Sequence, residues 1–60
     1  MAHRILVVDD EPDILDLTSL ALRQDGFEVE TATTGDEALA QLRRSKPDLV
    51  VLDLMLPDRP

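Results

Sequence analysis

The fold is decided by the stretch ILVVDDEP at residues 5–12, in which four apolar residues precede three acidic ones and a proline. A short continuous apolar run is typical of a strand buried on both faces of a parallel sheet. Pro12 suits the first position of a helix, where its missing N–H leaves no hydrogen bond unmade. Asp9 and Asp10 are therefore expected in the short connection between a buried strand and a helix.

The residues after Pro12 predict an amphipathic helix. We expect its buried face to carry Ile14, Leu17, Thr18, Ala21 and Leu22, with Asp16, Ser19 and Arg23 opposite. Gly26 stands where a left-handed residue would end this helix, and Phe27 can fold back onto it.

A change of period after the first helix predicts a second strand of a different kind. Phe27, Val29 and Thr31 alternate with Glu28 and Glu30. Such alternation is typical of a strand with one wet face, and we expect it at an edge of the sheet.

A second helix and a third strand complete the chain. The stretch TGDE at residues 34–37 matches a capping box that opens a helix. The buried stripe of that helix is expected to be Ala38, Leu39 and Leu42. Pro47 prevents its continuation, and residues 49–52, LVVL, again form a continuous apolar run.

Strands that alternate with helices indicate parallel pairing with right-handed crossovers. Because the first and third strands are apolar throughout, we expect the order 2-1-3, with one helix on each face. Asp9 and Asp10 would then follow the first strand where Asp53 ends the third. Ligands of open α/β sheets bind at such a switch point, beyond the carboxyl ends of the strands.

Three carboxylates at one crevice predict a bound cation. Mg²⁺ prefers hard oxygen ligands, takes one or two carboxylates, and leaves positions for water and phosphate. A carboxylate beside such a metal can attack phosphorus and form an aspartyl phosphate. Taken singly, Asp9 and Asp10 could merely cap a helix and Asp53 could begin a turn. An aspartate after both central strands favours the functional interpretation.

The net charge, the lack of cysteine and the short apolar runs argue against several classes of protein. Thirteen acidic and six basic residues give a net charge of −7, which would repel a nucleic-acid backbone. With no cysteine, no disulfide can support so small a core. We expect a cytoplasmic protein without a membrane span, since no apolar run approaches the required length. The apolar third strand suggests half of a doubly wound domain that self-associates through this strand, for example as a homodimer.

Four stretches together resemble the receiver domain of bacterial two-component response regulators. They are residues 5–12 and 49–57, ILVVDDEP and LVVLDLMLP, with GFEV at 26–29 and ATTGDEAL at 32–39 between them. The resemblance implies half of a flavodoxin-like doubly wound sheet, residues 1–60 being the N-terminal half of a receiver truncated after the third strand. It also makes Asp53 the phosphoacceptor. Mg²⁺ would be held by Asp9, Asp10, Asp53 and the backbone carbonyl of Met55. Of the two aspartates that follow the first strand, Asp10 would bind the ion most directly. Pro57 would shape the loop after the site.

The resemblance also implies partners. A histidine kinase or phosphotransfer protein would donate the phosphoryl group, and an output domain or partner would read the phosphorylated state. The domain would be regulatory rather than an enzyme. A complete receiver adds a Ser or Thr and a Lys that contact the phosphoryl group, so we expect impaired phosphotransfer in this half alone.

Other functions remain to be weighed. A binding or assembly module, pairing through the third strand, would need no phosphotransfer. A nucleotide-hydrolysing enzyme would need a phosphate loop, and a dinucleotide site would need G-x-G-x-x-G after the first strand. Neither motif occurs, and residues 9–13 lack the spacing and the glycine of an EF-hand loop.

Overall fold

The structure is a computed structural model that describes residues 2–52. Its element order is β1 (Arg4–Val8), α1 (Pro12–Gln24), β2 (Glu28–Ala32), α2 (Gly35–Ser45) and β3 (Leu49–Leu52). The three strands form one parallel sheet in the order β2-β1-β3. The predicted β-α-β-α-β arrangement, its strand order and the edge position of β2 are therefore confirmed.

Two apolar clusters lie on opposite faces of the sheet because side chains alternate along each strand. One joins Ile5, Val7 and Leu15, with Leu22, Phe27, Val29 and Val51 at its margin. The other joins Leu6, Val8, Ala32 and Ala38, with Val50 at its margin. One helix thus covers each face, as predicted, and Leu6 is fully buried beneath α2.

The predicted face of α1 is only partly correct, since Leu22 packs against the core cluster as expected but other members of that face do not. Leu15 and Ser19 are buried against the sheet, whereas Ile14 and Leu17 are exposed by 39% and 67%. Apolar residues lie on several sides of α1, so the pattern alone does not determine the rotation of the helix.

The predicted stripe of α2 is only partly correct. Ala38 is buried, but Leu39 is 55% exposed and Leu42 is 36% exposed. This helix packs over β2 and β1. Of the predicted stripe, Ala38 is the residue that is buried against these strands.

The predicted start and end of α1 are confirmed by the backbone geometry. Pro12 begins α1. Gly26 follows that helix with φ of 95°, a left-handed conformation that glycine adopts without strain. The N–H of Phe27 donates to the carbonyl of Leu22 at 3.2 Å, and its ring joins the cluster beneath α1.

Arg4 ties together the amino end of the sheet. Its Nη1 donates to the carbonyl of Ser45 at 2.9 Å, and its Nη2 lies 3.3 Å from Glu28 Oε1. Its backbone exchanges two hydrogen bonds with Asp48, both 2.8 Å long. One residue of β1 therefore holds β2, the end of α2 and the start of β3. Within residues 2–52, no helix is long and apolar enough to cross a bilayer.

Candidate functional site

Asp9 is a buried carboxylate at the carboxyl end of β1. Asp9 is only 4% exposed. Its backbone N–H donates to the carbonyl of Ala32 at 3.1 Å and so extends the hydrogen bonding between β1 and β2 by one residue. Its side-chain Oδ1 accepts a hydrogen bond from the backbone N–H of Glu11 at 2.9 Å. This is the local turn that aspartate forms with the backbone two residues ahead. Asp9 therefore holds the connection between β1 and α1.

Asp10 lies in the same connection but is exposed. The two neighbouring aspartates thus have different surroundings, one folded into the turn and one facing solvent. Negative charge in this position is favoured by the positive end of the α1 dipole. The side chain of the N-cap residue Glu11 makes no capping bond, whereas its backbone N–H donates to Asp9 Oδ1.

The register between β1 and β3 aligns the carboxyl ends of these two neighbouring strands. Val8 pairs with Leu52, and each is the last residue of its strand. The predicted phosphoacceptor Asp53 and the predicted loop residues Met55 and Pro57 lie outside the described residues. Their approach to Asp9 and Asp10 therefore stays a prediction.

The connection from β2 to α2 lies at the same edge of the sheet and is closed by two threonines. Thr34 Oγ1 accepts from the backbone N–H of Glu37 at 3.1 Å, as the predicted capping box requires. The carboxylate of Glu37 accepts instead from Thr33, from its N–H at 2.8 Å and its Oγ1 at 3.1 Å. These bonds hold the pKa of Glu37 below its ordinary value, the Thr33 backbone bond contributing most. The capping-box motif at residues 34–37 predicted the helix start, but it did not predict that the Glu37 carboxylate accepts from Thr33.

A shallow groove of about 300 Å³ lies beside that connection. It is lined by Thr31, Glu37, Ala40, Gln41 and Arg44. Among the predicted site residues that the structure describes, neither Asp9 nor Asp10 lines this groove.

The carboxylate oxygens of Asp9 and Asp10 supply some, but not all, of the ligands that a hard cation needs. Asp10 presents an exposed carboxylate, and Asp9 supplies a second one that already accepts the Glu11 N–H. Within residues 2–52, no three His, Cys, Asp or Glu side chains come together as a metal cluster. Two carboxylates at one strand end match the number that Mg²⁺ takes, so the residues present fit this ion when a further ligand joins them.

A family model described as "Response regulator receiver domain" matches residues 5–60. The chain belongs to the response regulator receiver family. The match confirms the family resemblance of the two strand-end motifs, and the observed sheet is consistent with the N-terminal portion of a flavodoxin-like receiver.

Curated relatives agree with this assignment. The receiver chain is 54% identical over 54 residues to the probable transcriptional regulatory protein TcrX of Mycobacterium tuberculosis, covering 90% of this chain and 23% of that protein. It is 51% identical over 57 residues to the alkaline phosphatase synthesis transcriptional regulatory protein PhoP of Bacillus subtilis, covering 95% and 24%. It is 47% identical over 57 residues to the DNA-binding response regulator MtrA of Mycolicibacterium smegmatis, covering 95% and 25%. The chain thus spans about a quarter of each relative's length, and all three are named as regulators.

Proposed function

We propose that this chain is the metal-binding and phosphoacceptor half of a receiver in a cytoplasmic phosphorelay, with Asp53 as the phosphoacceptor. The observation that carries the proposal is the pairing of Val8 with Leu52. It aligns the strand that precedes Asp9 and Asp10 with the strand that precedes Asp53 in the sequence. The family match supports the same assignment.

The proposed reaction is a phosphoryl transfer from a phosphohistidine. A carboxylate oxygen of Asp53 bonds to phosphorus, the phosphorus–nitrogen bond of the donor breaks, and the histidine nitrogen leaves with that electron pair. A histidine kinase or phosphotransfer protein would be the donor, so this chain has a regulatory role rather than that of an enzyme. Bound Mg²⁺ would neutralise charge on the transferring oxygens.

Asp9 and Asp10 have separate parts in this proposal. The exposed Asp10 would be a direct ligand of Mg²⁺, together with Asp53 and the backbone carbonyl of Met55. Asp9 would contribute charge to the same ion while its Oδ1 holds the Glu11 N–H, which supports the orientation of the connection. Pro57 would shape the loop after Asp53.

In the whole protein, this half of the receiver would act on an output domain. We propose that residues 1–60 supply the N-terminal half of the receiver and that isolated residues 1–60 are poor at phosphotransfer. The missing Ser or Thr and Lys expected of a complete receiver are the reason. MtrA is named a DNA-binding response regulator. For this protein, DNA binding would belong to an output domain, since residues 1–60 carry a net charge of −7.

The test is intact-mass analysis after treatment with a small acyl phosphate, with and without Mg²⁺. It compares the chain alone with the same chain joined to the rest of a receiver. We expect a single Mg²⁺-dependent phosphoryl adduct on the completed domain and little on the chain alone. Asp53→Asn should abolish the adduct, whereas Asp25→Asn, an exposed aspartate at the far end of α1, should keep it. A completed domain that gains no adduct at Asp53 would refute the proposal.

A second candidate function is assembly through β3 without phosphotransfer. The observation that favours it is the exposure of this strand: Leu49 and Leu52 are each 55% exposed, while both helices pack over β2 and β1. The Asp48 N–H points toward β1, so by alternation the backbone groups of Leu49 and Val51 point outward. Two copies related by a two-fold axis could pair through these groups as a homodimer.

Sedimentation velocity over a range of concentrations tests this assembly. We expect the chain to form a dimer as concentration rises. Val51→Pro should prevent the dimer, because proline lacks the outward N–H while the ladder to β1 uses the neighbouring residues. A folded monomer at every concentration would contradict this second function.

A further inference from the structure

The outer edge of the sheet at β2 carries the groove that the proposed functions leave unused. This groove of about 300 Å³ is lined by Thr31 of β2 and by Glu37, Ala40, Gln41 and Arg44 of α2. β2 is an end strand of the β2-β1-β3 sheet. In the complete flavodoxin-like order 2-1-3-4-5 it is an end strand as well. The groove therefore stays at an outer edge when the rest of a receiver is present.

The lining residues of α2 form one stripe along the helix. Glu37 and Arg44 are seven residues apart, which is two turns and about 10 Å along the helix axis. Ala40 and Gln41 lie between them on the same side, because residues three and four apart are neighbours on a helix surface. Ala38, which packs against the sheet, does not line the groove. The stripe is thus a side of α2 that the core leaves open.

The two charges of the stripe have opposite signs and lie at opposite ends of α2. Glu37 belongs to the first turn of the helix and Arg44 to the last. Within residues 2–52, neither side chain takes part in an ion pair. Both side-chain hydrogen bonds from Thr33 end at Glu37 Oε1, so Oε2 can still accept a donor. The stripe therefore offers a carboxylate oxygen at one end and a guanidinium at the other.

We propose that this groove binds the same groove of a second copy, with the two α2 helices antiparallel about a two-fold axis. Placed beside the midpoint between Ala40 and Gln41, the axis sets Glu37 of each copy opposite Arg44 of the other. Two charge pairs then form at once, because an isologous contact uses the same surface on both copies. The antiparallel arrangement also sets the positive end of each helix dipole beside the negative end of the other. Such a contact closes at two copies.

The centre of the stripe and its charge pattern favour a second copy as the occupant. Ala40 is exposed and carries only a methyl group, so two helices can approach closely at this point. The axis sets Ala40 of each copy opposite Gln41 of the other, and Gln41 Oε1 already accepts from Ser45 Oγ at 3.4 Å. The amide N–H groups of Gln41 are then left to donate across the contact. A peptide with charge of one sign would be attracted at one end of the stripe and repelled at the other, whereas a second copy satisfies both ends.

The experiment is sedimentation velocity over a range of concentrations, on this chain joined to the rest of a receiver, without phosphodonor or Mg²⁺. In that completed sheet β3 has a neighbouring strand on each side, so assembly through β3 does not contribute. We expect a monomer–dimer equilibrium that weakens as salt is raised, because exposed charge pairs are screened.

Reversal of one charge tests the pairing against a matched control. Arg44→Glu should raise the dissociation constant of the dimer roughly tenfold or more, since two attractive contacts become repulsive. Arg43→Glu makes the same change in net charge at an exposed residue of the same helix that does not line the groove, and it should leave the dimer nearly unchanged. Equal weakening by Arg43→Glu would show general repulsion and would overturn the proposal.

A mixture of two variants tests which residues face each other. Glu37→Lys, like Arg44→Glu, should fail to pair with itself, because both ends of the contact then carry charges of one sign. One copy of each variant restores opposite charges at both ends, so an equimolar mixture should form a dimer where neither variant does alone. Asp36→Lys, an exposed residue outside the groove, is the control and should not restore a dimer when mixed with Arg44→Glu.

Far-UV circular dichroism verifies that each variant keeps its helices, since Glu37 also accepts the Thr33 hydrogen bonds. If Glu37→Lys unfolds, the comparison of Arg44→Glu with Arg43→Glu decides by itself. A wild-type domain that stays monomeric at every concentration would overturn the proposal. So would a folded Arg44→Glu variant that dimerises like the wild type, or a mixture of the two folded variants that stays monomeric.

Discussion

Replacing Asp9 and Asp10 one at a time should separate folding from metal binding. Asp9 is buried and its Oδ1 accepts the Glu11 N–H at 2.9 Å, whereas Asp10 is exposed. A hydrogen bond to a charged group contributes about 1.5–3 kcal/mol net. Relief of a buried charge offsets part of this loss in Asp9→Ala. We therefore expect Asp9→Ala to lower the free energy of unfolding by about 1–2 kcal/mol.

That loss is large for so short a chain. Stabilities of roughly 0.05–0.15 kcal/mol per residue give about 3–9 kcal/mol for 60 residues. With a urea slope of about 1 kcal/mol/M, the midpoint should fall by about 1–2 M. Asp9→Asn keeps an acceptor oxygen without the charge, so its loss should be about half as large. Asp10→Ala should change stability by less than about 0.5 kcal/mol, since an exposed side chain is removed.

The assay is urea unfolding followed by far-UV circular dichroism, with and without Mg²⁺. Binding to the folded chain adds stability that grows with the ratio of ligand to dissociation constant. We expect Asp10→Ala to lose the stabilisation by Mg²⁺ while keeping its stability without the ion. If Asp9→Ala and Asp10→Ala shift the metal-free midpoint equally, the separate roles assigned to the two aspartates are wrong.

Further predictions concern the supports around the site. Thr34→Ala should lower stability by about 1 kcal/mol because the Glu37 N–H loses its cap, and Thr34→Ser should restore it; thermal unfolding measures both. The pKa of Glu37 is lowered on folding, so its contribution is present above the ordinary value of 4.5 and is lost as pH falls through the lowered one. Glu37→Gln should remove this part of the acid dependence in unfolding curves collected across that range. Leu6→Ala should lower stability by about 3 kcal/mol by opening a cavity at a fully buried site, whereas Leu39→Ala at an exposed site should change urea unfolding little.

The strands that lead into the candidate site were largely predictable. Asp9 and Asp10 directly follow a continuous apolar run, and such a run specifies a buried strand whatever the rest of the chain does. The same reasoning predicted β3 before Asp53, and the pairing of Val8 with Leu52 agrees with the expected adjacency of the two strands. The different burial of Asp9 and Asp10 was not predictable, because neighbouring residues of the same type give the same signal.

The rotation of the helices was the weakest prediction. Ile14 and Leu17 fit the hydrophobic pattern as well as Leu15 does, yet only Leu15 is buried. Ser19 was expected outside and is buried with its hydroxyl lacking a partner within residues 2–52. A period of 3.6 residues predicts that one side of a helix is apolar. It does not determine which apolar residues of that helix contact the sheet.

The sequence by itself determined the local elements, their boundaries and their order. Pro12, Gly26 and the Thr34 cap act within one turn of chain, and the apolar or alternating character of each strand places it inside the sheet or at its edge. Only the tertiary structure decided the contacts between distant residues. Arg4 reaches Glu28 and Ser45, across separations of 24 and 41 residues, because the parallel sheet brings them to one end. Long side chains can reach many partners, and the packed backbone selects which of them is near enough to bond.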